Sequence, residues 1–211
     1  MLHNLVISRG LLYSVEVLGR LDEGLAKTYR PVSEIPLDEL RRDCLTGNVL
    51  APRVAAIGMK AVMLARGMIP EGFFGLPVMH STRRILETWD AELAFEEGRR
   101  VYAPSAPSRL SCIWLAEDSP AGRSSIAGAV RNAHVCAVDV IYSLAIWGAD
   151  AGWWTDYMNG PQSVYVERYW SGVRHPRAPE PEILLDGIIK IQPADLDALL
   201  SHARRVDEEQ A

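Results

Sequence analysis

Long apolar runs are missing from this chain of 211 residues. No stretch of about eighteen or more apolar residues is present to span a bilayer, and the first residues lack the charged-then-apolar order of a secretion signal. Cytoplasmic residence without a membrane partner is therefore the default expectation, although export routes that use no cleaved signal leave no such trace. Cysteine is scarce: Cys44, Cys112 and Cys136 stand apart without CxxC spacing, which argues against a zinc site or a disulfide framework. Cys112 and Cys136 fall in strand-like runs and read as small buried hydrophobes. Positive charge is not in excess. The 22 Lys and Arg against 27 Asp and Glu leave a net charge of -5, which argues against a general electrostatic grip on nucleic acid. His3, His80, His134, His175 and His202 show neither i, i+4 pairing nor an HxxxE pattern, so a metal site is not expected. There is no GxSxG elbow, no glycine-rich phosphate loop and no internal repeat, which removes several common enzyme classes.

What is present fits a globular chain. Apolar residues make up 48% and charged residues 23% of it, the length suffices to bury a core, and no linker divides it. The elements read as mixed α/β. Leu5–Ile7 and the alternating run Leu11–Leu18 are strands, the latter presenting Ser14 and Glu16 on one face. A short helical turn fits Leu37–Arg42, and Arg53–Arg66 reads as a buried helix whose methionines are core packing. Ser81 caps an amphipathic helix in which Ile85, Trp89 and Leu93 recur every four residues, Glu96 and Glu97 fill other faces, and Gly98 and Pro104 close the run. Leu110–Ala116 is a strand. Ser119-Pro120 then starts a helix to about Val130, and Val135–Tyr142 is a further strand. Trp147, Trp153, Trp154 and Tyr157 fall in a stretch punctuated by Gly and Asp that reads as loop and edge packing. Pro161 opens a helix that stops at Gly172.

The chemistry concentrates between Glu167 and Ile191. Glu180 and Glu182 stand two apart across Pro181 at the mouth of Ile183-Leu184-Leu185, so a strand starting there aims both carboxylates the same way. A fixed carboxylate of this kind suits sugar transfer, where it steadies an oxocarbenium-like centre or a ribose hydroxyl. The plainer alternative is a solvated loop in which neither glutamate acts. Arg109, at a strand entrance, suits a phosphate through its planar fork, or a surface ion pair. Ser124 and Ser125 are ligands or simply polar helix positions. Asp186-Gly187 marks either a hairpin turn or a glycine bulge within one long strand.

The run TWDAELAFEEGRRVYAPSAPSRLSCIWLAEDS, followed by ERYWSG and PEILLDGIIKI, resembles the bacterial domain of unknown function numbered 2441, grouped with ADP-ribosyltransferase-like folds. The opening LLYSVEVLGRLDEGLAKTYRPV fits more loosely. The resemblance implies an α+β fold with an ADP-ribosyltransferase-like split β-sheet core and flanking helices, in a single domain over 1–211 with a helical insertion at about 53–100. It implies NAD as substrate, with Glu182 on the ribose hydroxyl. Glu180 would steer the acceptor, as in the E-x-E spacing of arginine-modifying members. Trp114 marks the second strand, followed by Ser124 or Ser125, and Arg109 meets the pyrophosphate. Tyr13 and Ser14 occupy the first-strand position where related sequences read Tyr-His, so the ring nitrogen that would hold the nicotinamide ribose is replaced. The function implied is an NAD-dependent ADP-ribosyltransferase or NAD glycohydrolase with an unknown protein or nucleic-acid acceptor. The alternative is a catalytically inactive binding or effector module that holds a partner through the Trp153-Trp154 region.

Overall fold

In the computed structural model the described residues are 1–8, 11–13, 17–18, 25–28, 82–129, 133–195, 197–198 and 201. Ser14, the helix cap expected at Ser81, the turn expected at 37–42 and the helix expected at 53–66 lie outside them. The described part is mixed α/β. Its strands are β1 (Leu2–Ser8), β2 (Leu11–Tyr13), β3 (Val17–Leu18), β4 (Leu25–Thr28), β5 (Ile113–Leu115), β6 (Ala133–Asp150) and β7 (Pro181–Ile191). They pair antiparallel in the order β2-β1-β6-β7-β4-β3, with β5 also on β7. Leu2 bridges Ala116 just beyond β5, so the hydrogen-bonded path through β1, β6, β7 and β5 returns on itself. The helices are α1 (Thr82–Tyr102), α2 (Pro120–Ala129), α3 (Ala151–Asn159) and α4 (Ser163–Trp170). None of the described helices is long and apolar enough to cross a membrane.

Strand β7 is the centre of the arrangement because both of its faces are buried. Leu185, Ile189 and Ile191 pack with Ile113, Leu115, Cys136 and Val138 on one face. Leu184 points the other way, into Phe95, Trp153, Val166, Tyr169 and Trp170 from the helices. Asp186-Gly187 is not a hairpin: β7 runs through it unbroken. The irregularity lies on the neighbouring strand. Register shifts between Val140 and Tyr142 and between Ser143 and Ala145 give β6 an extra residue each time. Gly187 permits the close approach there, since a Cβ would come within 2.1 Å of the Tyr142 carbonyl oxygen.

Two helical readings need correction. Of the two stops expected for α1, Gly98 lies inside the helix, which runs on to Tyr102, two residues before Pro104. A Cβ at 98 would lie 2.1 Å from Val166 Cγ1, so the glycine is where α1 and α4 come together. Trp153, Trp154 and Tyr157 are not in a loop: they ride on α3, which Asp150 caps by accepting from the Gly152 amide at 2.9 Å. Trp147 lies on β6. The Ser119-Pro120 start of α2 holds, with Ser119 Oγ accepting from the Gly122 amide at 3.1 Å. Gly172, at φ 67, follows α4 as its stop.

The thiols behave as the sequence reading requires. Cys112 and Cys136 are free and each 1% exposed. Burial, reinforced by the negative charge of Asp195, pushes the Cys136 thiol up from 9.0 to about 12. The unfolded chain therefore ionises this thiol first. The stability it contributes is fully present below pH 9 and is lost as pH rises toward 12. Unfolding free energies from urea titrations between pH 8 and 11 are expected to fall with pH, by up to about 1.4 kcal/mol per pH unit from this one group. The fall should be shallower in Cys136→Val, and an equal fall in both proteins would exclude the thiol as its source.

Candidate functional site

The site begins in the last turns of α1. Glu96, fully buried, accepts from Arg99 through both carboxylate oxygens at 3.0 and 2.8 Å, from Arg100 at 3.0 Å and from the Ser108 hydroxyl at 2.8 Å. Arg99 turns its remaining nitrogen to the carbonyls of Pro104 and Ala106, both at 3.1 Å. This knot folds the proline-interrupted segment 103–108 back beneath the helix, where its backbone carbonyls would otherwise lie unsatisfied. The result is to thrust Arg109 inward. Glu96, expected on an outward face of the helix, is instead the hub of the turn.

Arg109 is 2% exposed and sits between three elements. It donates to Glu92 of α1 through Nε at 3.1 Å and to Glu182 of β7 through Nη1 at 3.0 Å, and Nη1 also donates to the hydroxyl of Tyr169 on α4. The Tyr169 hydroxyl in turn donates to the same oxygen of Glu182, Oε1. Aromatic rings wall in the guanidinium: Trp114 and Trp154 lie 4.3 Å from it, Tyr169 4.9 Å and Phe95 5.4 Å. Register explains the position of Trp114. Trp114, Leu184 and Trp147 pair directly across β5, β7 and β6, so they share the face on which Glu182 stands two residues earlier.

The electrostatics follow from burial. Desolvation alone would loosen the Arg109 proton, but the charges of Glu92 and Glu182 and the Tyr169 oxygen outweigh it, and its pKa is raised. Burial also raises the Tyr169 phenol well above its usual range. Glu182 adds to that rise, and Arg109 only partly offsets it. Tyr169 therefore remains a neutral donor to Glu182 throughout the physiological range.

Of the residues singled out from the sequence, Glu182, Arg109 and Trp114 come together here. Glu180 does not join them: it is exposed, and its amide donates to Asp150 Oδ1 at 2.9 Å. Ser124 is exposed and Ser125 half-buried on α2, whose Ile126 packs into the separate cluster of Leu2 and Ala116. Tyr13 closes β2 at the far side of β1, and Ser14 lies outside the described residues. Trp153 is 2% exposed and donates its indole N–H to the Val173 carbonyl at 2.7 Å, so it faces the core. Sequence reading missed Glu92 and Tyr169. The available signal was local, because Glu96 with Arg99 and Arg100 forms i, i+3 and i, i+4 pairs. Nothing in the spacing announces the pairing of Glu92 with Arg109.

Residues 76–198 match the family described as a protein of unknown function (DUF2441). The chain belongs to that family. The matched span covers more than half of the sequence and contains every member of the Arg109 cluster, while the opening strands fall outside it. No curated protein matches the chain. Among the described residues no group of His, Cys, Asp and Glu is arranged to hold a metal ion.

Proposed function

We propose that this DUF2441 chain has an ADP-ribosyltransferase-like core and cleaves NAD, transferring ADP-ribose to a macromolecular acceptor or to water. The observation that carries this reading is the fixed carboxylate of Glu182 at the head of β7, 8% exposed and held by Arg109 and Tyr169. In the reaction the bond from the ribose anomeric carbon to the nicotinamide nitrogen breaks, and its electron pair leaves with nicotinamide. A bond then forms from that carbon to the acceptor nucleophile, whose proton is released. Glu182 would hold the ribose hydroxyl and offset the positive charge at the ring. A carboxylate that is already oriented needs no reorganisation as that charge develops. Glu180, exposed two residues earlier, suits an acceptor arriving from outside. In this reading Arg109 serves Glu182 instead of a pyrophosphate.

A second reading, a catalytically silent binding module, draws on the same geometry. The bonds from Arg109 and Tyr169 also make Glu182 a structural tie between β7, α4 and α1. One experiment separates the two. With NAD and candidate acceptors, wild type is expected to release nicotinamide and Glu182→Gln to do so about 100-fold more slowly, a typical loss for one preorganised electrostatic contact. Thermal melting of the variant verifies that it is folded. If wild type gives neither nicotinamide nor calorimetric heat with NAD, the silent module stands and the transferase is abandoned.

A further inference from the structure

The loop between α4 and β7 is fastened at His175, which is 4% exposed. Its backbone N–H donates to Asp150 Oδ2 at 3.0 Å, and its ring packs edge-on to Trp153 with centroids 4.4 Å apart. On the ring, Nδ1 accepts from the Ala178 amide at 2.9 Å, while Nε2 lies 3.1 Å from Asp156 Oδ2. An accepting Nδ1 carries no hydrogen, so Nε2 is the protonated nitrogen and donates to Asp156. The surrounding charges are these. Asp156 on α3 faces Nε2, with Arg177 of the loop 3.8 Å from it. Asp150 at the end of β6 binds the backbone of His175, and its other oxygen binds the amide of Glu180. Arg168 of α4 lies over the Trp153 ring at 4.8 Å.

We infer that His175 is a pH-operated latch on the segment that delivers Glu180 and Glu182. When the imidazole takes up a proton, Nδ1 gains a hydrogen and two donors face each other across the present bond to Ala178. The ring must swing away, and the 176–180 stretch loosens. Asp156 faces the opposite ring nitrogen, and its side chain is 26% exposed and lies near Arg177, so it cannot replace the lost acceptor at Ala178. The latch is closed while Nδ1 accepts from Ala178 and opens once acidification places a proton on that nitrogen. Its consequence for an acceptor at Glu180 rests on the transferase reading. The latch itself does not.

The test is amide hydrogen exchange on the protein alone, corrected for intrinsic rates, between pH 7.5 and 5.5. Protection of Ala178 is expected to drop about tenfold on acidification, the effect of losing one hydrogen bond, while Gly152, bound to the same Asp150, keeps its protection. In His175→Asn the side-chain oxygen can accept from Ala178 at either pH, and the drop should vanish. Unchanged protection in wild type, or an equal drop in the variant, overturns the latch. If the variant does not fold, ring nitrogen chemical shifts of wild-type His175 decide instead. An unprotonated Nδ1 at pH 7.5 that becomes protonated in step with the loss of Ala178 protection supports the latch, and a protonated Nδ1 at pH 7.5 overturns it. No NAD is involved, so failure here leaves the transferase reading untouched, and failure of that reading leaves the latch standing.

Discussion

Arg109→Met is expected to cost about 3–5 kcal/mol of folding stability, the range for removing one partner of a buried charge cluster. The reason is what the substitution leaves behind. Glu92 is fully buried and Glu182 is 8% exposed, and both direct oxygens at the same guanidinium. Without it, two carboxylates face each other across a space walled by Trp114, Trp154, Phe95 and Tyr169, where water cannot screen them. Methionine fills much of the volume and slides between the rings, so packing loss is the smaller part. Neutralising the carboxylates along with the cation separates the two effects. The triple variant Arg109→Met, Glu92→Gln, Glu182→Gln is expected to recover part of the lost stability, because no uncompensated charge remains. Urea unfolding of the single and triple variants supplies the comparison. If the single substitution costs less than about 1 kcal/mol, the value of a surface pair, or if the triple variant is worse still, the cluster is not held by charge.

The same cluster shows where sequence reading reached and where it stopped. The end of α4 at Gly172, the Ser119-Pro120 start of α2 and the buried run from Glu182 were legible because each is written in neighbouring residues: a φ-permissive glycine, a cap with a proline, an apolar strand. Arg109 and Glu182 were legible as chemistry but not as partners, since they stand 73 positions apart and only the fold joins them. Glu92 escapes notice and Glu96 reads as an outer helix position for a physical reason. Carboxylates on a helix ordinarily face water, and burying them becomes tolerable only once Arg99, Arg100, Ser108 and Arg109 supply donors. Gly98 was read as a stop by its intrinsic propensity, whereas the approach of Val166 gives the missing side chain a packing purpose. Strand β6 was cut short at Tyr142 because its two extra residues disturb the alternation of inward and outward side chains on which the reading depends. The helix α3 was lost under its glycine and aspartates, although Asp150 is the residue that caps it.

Trp170→Ala is expected to be nearly as costly as the loss of Arg109, about 3–5 kcal/mol for deleting a large buried aromatic. Trp170 is fully buried at the end of α4, its Cδ1 3.4 Å from where a Cβ on Gly98 would stand, and its ring lies edge-on to Tyr169 at 4.9 Å. Its indole N–H donates to the Phe95 carbonyl of α1 at 2.6 Å. Two effects are thus bundled in one residue, and Trp170→Phe divides them. Phenylalanine keeps most of the ring volume and loses the hydrogen bond, so volume-dominated packing predicts a cost of about 1–2 kcal/mol, close to one hydrogen bond plus a small cavity. Equal costs in the two variants would assign the contact to the hydrogen bond and refute the packing account. The outcome bears on the site as well as on stability. Tyr169 precedes Trp170 on the same short helix, and α4 is fastened to α1 through the tryptophan and the close approach at Gly98. A cavity at 170 lets α4 settle toward α1, which draws the Tyr169 hydroxyl away from Glu182. Nicotinamide release, where wild type shows it, is therefore expected to fall in Trp170→Ala even at temperatures where the variant is folded, and to be retained in Trp170→Phe.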